Sequence, residues 1–314
     1  MELKHSHMRF QTLLFIAFCL CLLPVSAHES MITIGLRAGA ETAFPSVRDD
    51  ATAHVRFGLG GTGMLDCRYA FYGTVHDYIN IGATIGMGLG FGTSALAGTN
   101  TDRYRNIDYR NQPIDYTVRS TFRQTDVFGK NEWSVMFAMI CRDVVINVGT
   151  QFLFPFAASA KMKIKEASVN AYYPRYGVDV PDERITGKLD CPTKHPVSAN
   201  RSQAEILVAA EVGYQWHMDP KRRLGVQGYV YIGVWNNYRP SAQTNQPLVQ
   251  VEPILNVHDP IPGISIHSIN GQLNGLQSME VGIRAFYSFT FYSYQKKAFL
   301  PYDTRSNHNR YMWR

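Results

Sequence analysis

The sequence predicts an all-β fold: a transmembrane antiparallel up-and-down β-barrel of 8 strands with long loops at one end. Three observations lead there. First, Met279 to Tyr292 alternates, with Val281, Ile283, Ala285, Tyr287, Phe289 and Phe291 on one face and Glu280, Gly282, Arg284, Phe286, Ser288 and Thr290 on the other. Successive side chains of a strand point to opposite faces, so this segment meets an apolar medium on one side and a polar one on the other. Its apolar face turns aromatic towards the end, as expected where a membrane strand reaches the headgroups. Second, Lys4 and Arg9 precede an apolar run from Leu13 to Leu23, then Pro24 and Val25-Ser26-Ala27, the layout of a cleaved secretory signal. Third, no later stretch reaches the roughly 18 apolar residues of a membrane helix, which leaves strands as the spanning element.

The expected division is a signal peptide at 1–27, a barrel at 28–294 and a basic, aromatic tail at 295–314. Strand one is Ile32 to Ala40, with Ile34, Leu36 and Ala38 outward and Gly35, Arg37 and Gly39 inward. Strand two is Val55 to Phe71, outward at Leu65, Cys67 and Tyr69 and inward at Asp66 and Arg68. Strand three, Tyr78 to Gly92, puts Ile81, Ile85, Met87, Leu89 and Phe91 outward against Gly82, Thr84, Gly86, Gly88 and Gly90. Glycine at every second position weakens an ordinary strand; inside a narrow barrel it leaves room for large side chains from neighbouring strands. Strands four and five are Glu132 to Ile140 and Val144 to Phe154, and strands six and seven are Glu205 to His217 and Leu224 to Asn236.

Short connections, after Phe71, Ile140 and His217, alternate with long polar ones after Ala40, Gly92, Phe154 and Asn236. Turns at the periplasmic side and long loops outside are the asymmetry of an outer-membrane barrel. Lys161 to Val169 and Leu248 to Leu255 could add hairpin arms, which makes ten strands the alternative count.

Removing Lys4, Arg9 and Glu2 from 31 basic and 25 acidic residues leaves 29 against 24, a modest and dispersed charge that does not indicate nucleic-acid binding. Cys67, Cys141 and Cys191 remain after processing, an odd and scattered set that suggests neither a disulfide framework nor zinc. No cofactor or metal is expected.

Gly35-Leu36-Arg37-Ala38-Gly39, the segment Gly63 to Phe71 ending in Arg68-Tyr69-Ala70-Phe71, and Val281-Gly282-Ile283-Arg284-Ala285-Phe286 resemble the small porin-like, OmpA-type outer-membrane β-barrel proteins of Bacteroidetes-like Gram-negative bacteria. The resemblance covers about the strand half of the mature chain. It implies residence in the outer membrane, contact with its lipid, and insertion by the barrel-assembly machinery; it implies no chemistry. Such barrels often stop at a terminal aromatic, whereas this sequence runs on from Gln295 to Arg314 with Lys296, Lys297, Arg305, Arg310 and Arg314 among Phe299, Tyr302, Tyr311 and Trp313. That tail is either a basic anchor or a docking peptide for a protein partner in the periplasm or membrane.

Eight strands enclose an interior that side chains can fill. The ionisable residues expected there are Arg37, Asp66, Arg68, Glu205, Glu211, Glu280 and Arg284. Buried charges need partners, so an internal ion-pair network is expected. A hydrolase would need a serine and a histidine within reach, with a third group orienting the histidine. The candidates, His54, His195 with Ser198, and His258 and His267 with Ser265 and Ser268, lie in polar segments without a signature. Asp182, Glu183, Asp190, Cys191 and His195 make a poor metal set. The expected role is therefore structural or interactive and not enzymatic, including service as an accessory subunit of a transport or secretion assembly. A narrow pore for small solutes is the alternative.

Overall fold

Strand propensity and alternation carry through to the observed architecture. In a computed structural model of the chain, the described residues are 29–49, 51–76, 79–108, 110–180, 186–191, 194–199, 204–236, 246–252 and 263–292. The expected signal peptide, the tail at 295–314, Tyr78, Asp182, Glu183 and His258 lie outside them. Eight long strands form the wall: β1 (Glu29–Val47), β2 (Ala53–His76), β3 (Ile79–Ile107), β4 (Pro113–Cys141), β5 (Val144–Tyr173), β6 (Glu205–His217), β7 (Arg222–Asn236) and β8 (Leu273–Tyr292). Each pairs antiparallel with the next, and β1 pairs with β8 from Glu29↔Tyr292 to Ser46↔Gly275, which closes the ring.

At one end, the turn end, the connections are tight. Arg142 takes a positive φ of 55° between β4 and β5. Between β6 and β7, Asp219 Oδ1 accepts from the backbone N–H groups of Lys221 and Arg222, each at 2.8 Å. That side chain mimics a backbone turn, which is why an aspartate stands there.

The other end departs from expectation. The polar region from Thr93 to Lys130 is not a loop: β3 and β4 run on as one hairpin from Ile79↔Cys141 to Ile107↔Pro113. The connection shrinks to residues 108–112, where Asp108 Oδ1 accepts from Arg110 N and Gln112 N at 2.8 Å. Lys161 to Val169 belongs to β5 and adds no strand to the wall. Within the other expected arm, Val249–Val251 pairs with Ile264–Ile266 in a separate two-stranded sheet. Among the described residues the ring count therefore stays at eight.

The alternation inverts rather than stops. On β4 the outward side chains near the turn end are Met139, Phe137, Val135 and Trp133; beyond Val127 they become Thr125, Arg123, Thr121 and Arg119. The inward ones change from Ser134, Glu132 and Lys130 in the middle of the bore to Phe122, Val118, Tyr116 and Ile114 farther on, with Asp126, Gln124 and Ser120 among them, all buried. An apolar residue faces out where lipid surrounds the wall and in where water does. The inward set packs with Leu96, Met162, Ile164, Val169, Leu248, Val251, Ile269 and Leu273 into a lobe core. Each large aliphatic side chain buried there contributes about 1.5–3 kcal/mol, enough to order a segment otherwise read as loop. Near the turn end a smaller cluster of Met31, Tyr72, Ile140, Val145 and Phe286 fills the lumen.

Candidate functional site

The middle of the lumen is where charge collects. Closing the ring sets Arg37 opposite Arg284, Gly39 opposite Gly282, and Glu41 opposite Glu280. Like charges directly opposite repel, so the β1–β8 seam cannot neutralise itself. The partners come from across the lumen.

Asp66 of β2 serves the arginines. Its Oδ1 lies 2.6 Å from Arg284 Nη2 and 3.5 Å from Arg68 Nε, and its Oδ2 lies 3.2 Å from Arg37 Nε. Lys130 of β4 serves the glutamates: Nζ is 3.2 Å from Glu41 Oε2 and 3.6 Å from Glu132 Oε1, and pairs with Glu280. Glu132 joins the two groups, with Oε2 2.5 Å from Arg37 Nη2 while accepting from Gln151 at 2.9 Å. Arg68 forks onto Glu211 at 2.6 and 2.8 Å, and Glu211 also accepts from Asn147 at 2.9 Å and from Tyr231. Arg284 Nη1 donates to Gln227 at 2.9 Å. All nine ionisable members are at most 4% exposed.

Glycine makes the space. A Cβ at Gly35 would stand 2.7 Å from Arg284 Nε, and one at Gly92 2.6 Å from Glu41 Oε2. Tyr229 falls in register with Gly282 and Gly39, and its hydroxyl would meet a Cβ at either glycine at 2.6 Å. Tyr229 stacks on Tyr231 with centroids 4.6 Å apart, and the Arg37 guanidinium lies 5.3 Å from the Tyr231 centroid.

Of the seven residues read from the sequence, Arg37, Asp66, Arg68, Glu211, Glu280 and Arg284 come together, and Glu205 bonds to Ser278 N at 3.1 Å and to its hydroxyl. Glu41, Lys130 and Glu132 join the network without being among the lumen residues the sequence predicts. Their signal was parity: Glu41 shares the face of Arg37 two steps on, and Lys130 and Glu132 share that of Ser134. Charges taken from water at such cost need this density of partners, and the arrangement fixes the wall and occupies the bore.

On the lobe, Val197, Ser198, Ile266, His267, Ser268 and Asn270 line a cleft of about 430 Å³. It brings together several of the histidines and serines weighed above. Burial, with His195 nearby, holds His267 below the ordinary imidazole range. Ser268 Oγ is committed locally, donating to the Ser198 carbonyl at 2.9 Å and accepting from Asn270 N at 3.3 Å. Ser265 donates to Glu252 at 2.6 Å, and His54 lies on β2 beside Thr99. Among the described residues no group of three His, Cys, Asp or Glu is placed to hold a metal. Cys67, Cys141 and Cys191 are free thiols.

No family model matches the chain, and no curated protein sequence matches it significantly. Among solved structures it is similar to Neisserial surface protein A, at 10% identity over 84% of this chain and 98% of that one, with a TM-score of 0.26. Ail of Yersinia pestis matches at 10% identity over 84% and 99%, TM-score 0.25. OprG of Pseudomonas aeruginosa matches at 8% identity over 85% and 99%, TM-score 0.26. Scores of this size carry no argument about function; the barrel assignment rests on the closed ring and its outward apolar belt.

Proposed function

We propose that the chain is an outer-membrane protein of a Gram-negative bacterium whose barrel is a closed post displaying a folded outer lobe for interaction with protein partners, and that it acts as neither a channel nor an enzyme. The observation that carries this reading is continuity. Strands β1, β2, β4 and β8, which supply the ion pairs together with Glu211 of β6, run on to build the apolar core of the lobe with β3 and β5. Post and lobe are then one rigid unit, and a binding surface held on a rigid scaffold loses little entropy when it docks. Membership of a larger transport or secretion assembly, as an accessory subunit, fits such a surface.

The test is isolation from the native membrane in mild detergent, with mass spectrometry of whatever remains bound through gel filtration. A stoichiometric protein partner is the expected result. A clean monomer that conducts ions in planar bilayers would replace this reading with the narrow pore.

A further inference from the structure

The outward face of the lobe carries cations that the lumen does not use. Arg56, Arg123 and Lys163 share one register row, Arg56↔Ala97↔Arg123↔Lys163. Lys161 lies one step nearer the belt, and Lys165 and Arg119 lie above. All six are exposed. Among the described residues none has an ion-pair partner, whereas Arg105 higher on the hairpin pairs with Asp115 at 2.6 Å. Arg123 and Lys163 stand directly opposite on adjacent strands, a like-charge pair the fold holds at a cost. A polyanion laid across the row removes that cost.

Height selects the anion. On β3 to β5 the last outward aromatic row of the belt is Phe91↔Gly129↔Phe156, whereas on β2 the exposed Phe57 adjoins Arg56 at the edge of the band. Lys161 is four residues above it by register and Arg123 six, about 13 and 20 Å along the strands, or roughly 10 and 15 Å in height at a 40° tilt. A phospholipid phosphate sits at the acyl boundary, below most of this band, even allowing for side chains that reach down. Thr99, Thr121 and Thr125 lie between the cations on the outward face and offer hydroxyls to a saccharide. We propose that this flank of β2 to β5 binds a membrane lipid whose phosphates are carried on a bulky saccharide headgroup. The proposal rests on the barrel standing with its lobe in the outer leaflet.

The test compares wild type with the triple variant Arg123→Gln, Lys161→Gln, Lys163→Gln, each folded into phosphatidylcholine vesicles. Parallel samples carry lipopolysaccharide or phosphatidylglycerol in the vesicle, or inorganic phosphate in the buffer. Lipopolysaccharide should raise the wild-type Tm by several degrees and stay bound through detergent extraction and gel filtration, and the variant should lose most of both effects. Equal retention by the variant overturns the proposal. So does an equal shift from phosphatidylglycerol or inorganic phosphate, which would mean that the band responds to negative charge alone. Trypsin resistance in vesicles of phosphatidylcholine only reports separately on the barrel reading, and the variant, altered only at exposed positions, should match wild type there.

Discussion

Asp66 carries the largest share of the interior's neutrality, since three guanidinium groups converge on one carboxylate. Removing one partner from a buried charge cluster strands the others. Asp66→Asn should therefore cost about 3–5 kcal/mol, read as a lower urea midpoint for the barrel in lipid vesicles. Gly35→Ala acts on the same cluster by volume, because its methyl group takes the place of the Arg284 guanidinium. The expected loss is about 1–3 kcal/mol, and combining it with Asp66→Asn should cost less than the sum, since both disturb one contact. At this scale the sequence is legible through parity: Arg37, Asp66, Arg68 and Arg284 each interrupt an otherwise small or apolar inward face. Which charge meets which is not legible, because bridging partners such as Asp66 and Arg284 sit as far as 218 residues apart and depend on strand stagger around the ring.

Along the hairpin of β3 and β4 the outward apolar signal stops well short of the strand ends. Outward apolar residues mark a strand only while lipid lies outside, so that signal alone predicts a strand end where the belt ends. The inward run Ile114, Tyr116, Val118 and Phe122 signals the continuation once the medium outside is taken as water. Asp102 ties this hairpin to the returning chain by accepting from Val249 N at 3.2 Å. Burial pushes its carboxyl up to about 6, against an ordinary value near 3.8. The folded lobe thus holds the proton more tightly than the unfolded chain does. Its contribution to stability is complete below the unfolded value and is lost as pH rises through the folded one. Protection of the Val249 amide against hydrogen exchange, corrected for intrinsic rates, should be greater at pH 4 than at pH 7.5 by about 2 kcal/mol. Asp102→Asn should flatten that profile.

For the whole molecule, three storeys fill the bore: an apolar plug at the turn end, the ion-pair layer, and the lobe core. Planar bilayers containing the purified protein should show no stepwise conductance. Glu280→Gln should lower the Tm without opening a current, because it weakens one layer and leaves the other two closed. Stable cation-selective steps from that variant would instead assign the layer to a gate.

The inversion of faces along β4 also acts as a parity check applied twice. A one-residue slip of a wall strand that runs on into the lobe turns lipid-facing side chains into the charged bore and, farther along the same strand, turns the lobe's aliphatic side chains out to water. Either error alone is penalised, and no slip by an odd number of residues relieves one without incurring the other. Every register displaced by an odd number of residues is thus penalised by both media, so outer lobe and membrane wall proofread each other's assembly.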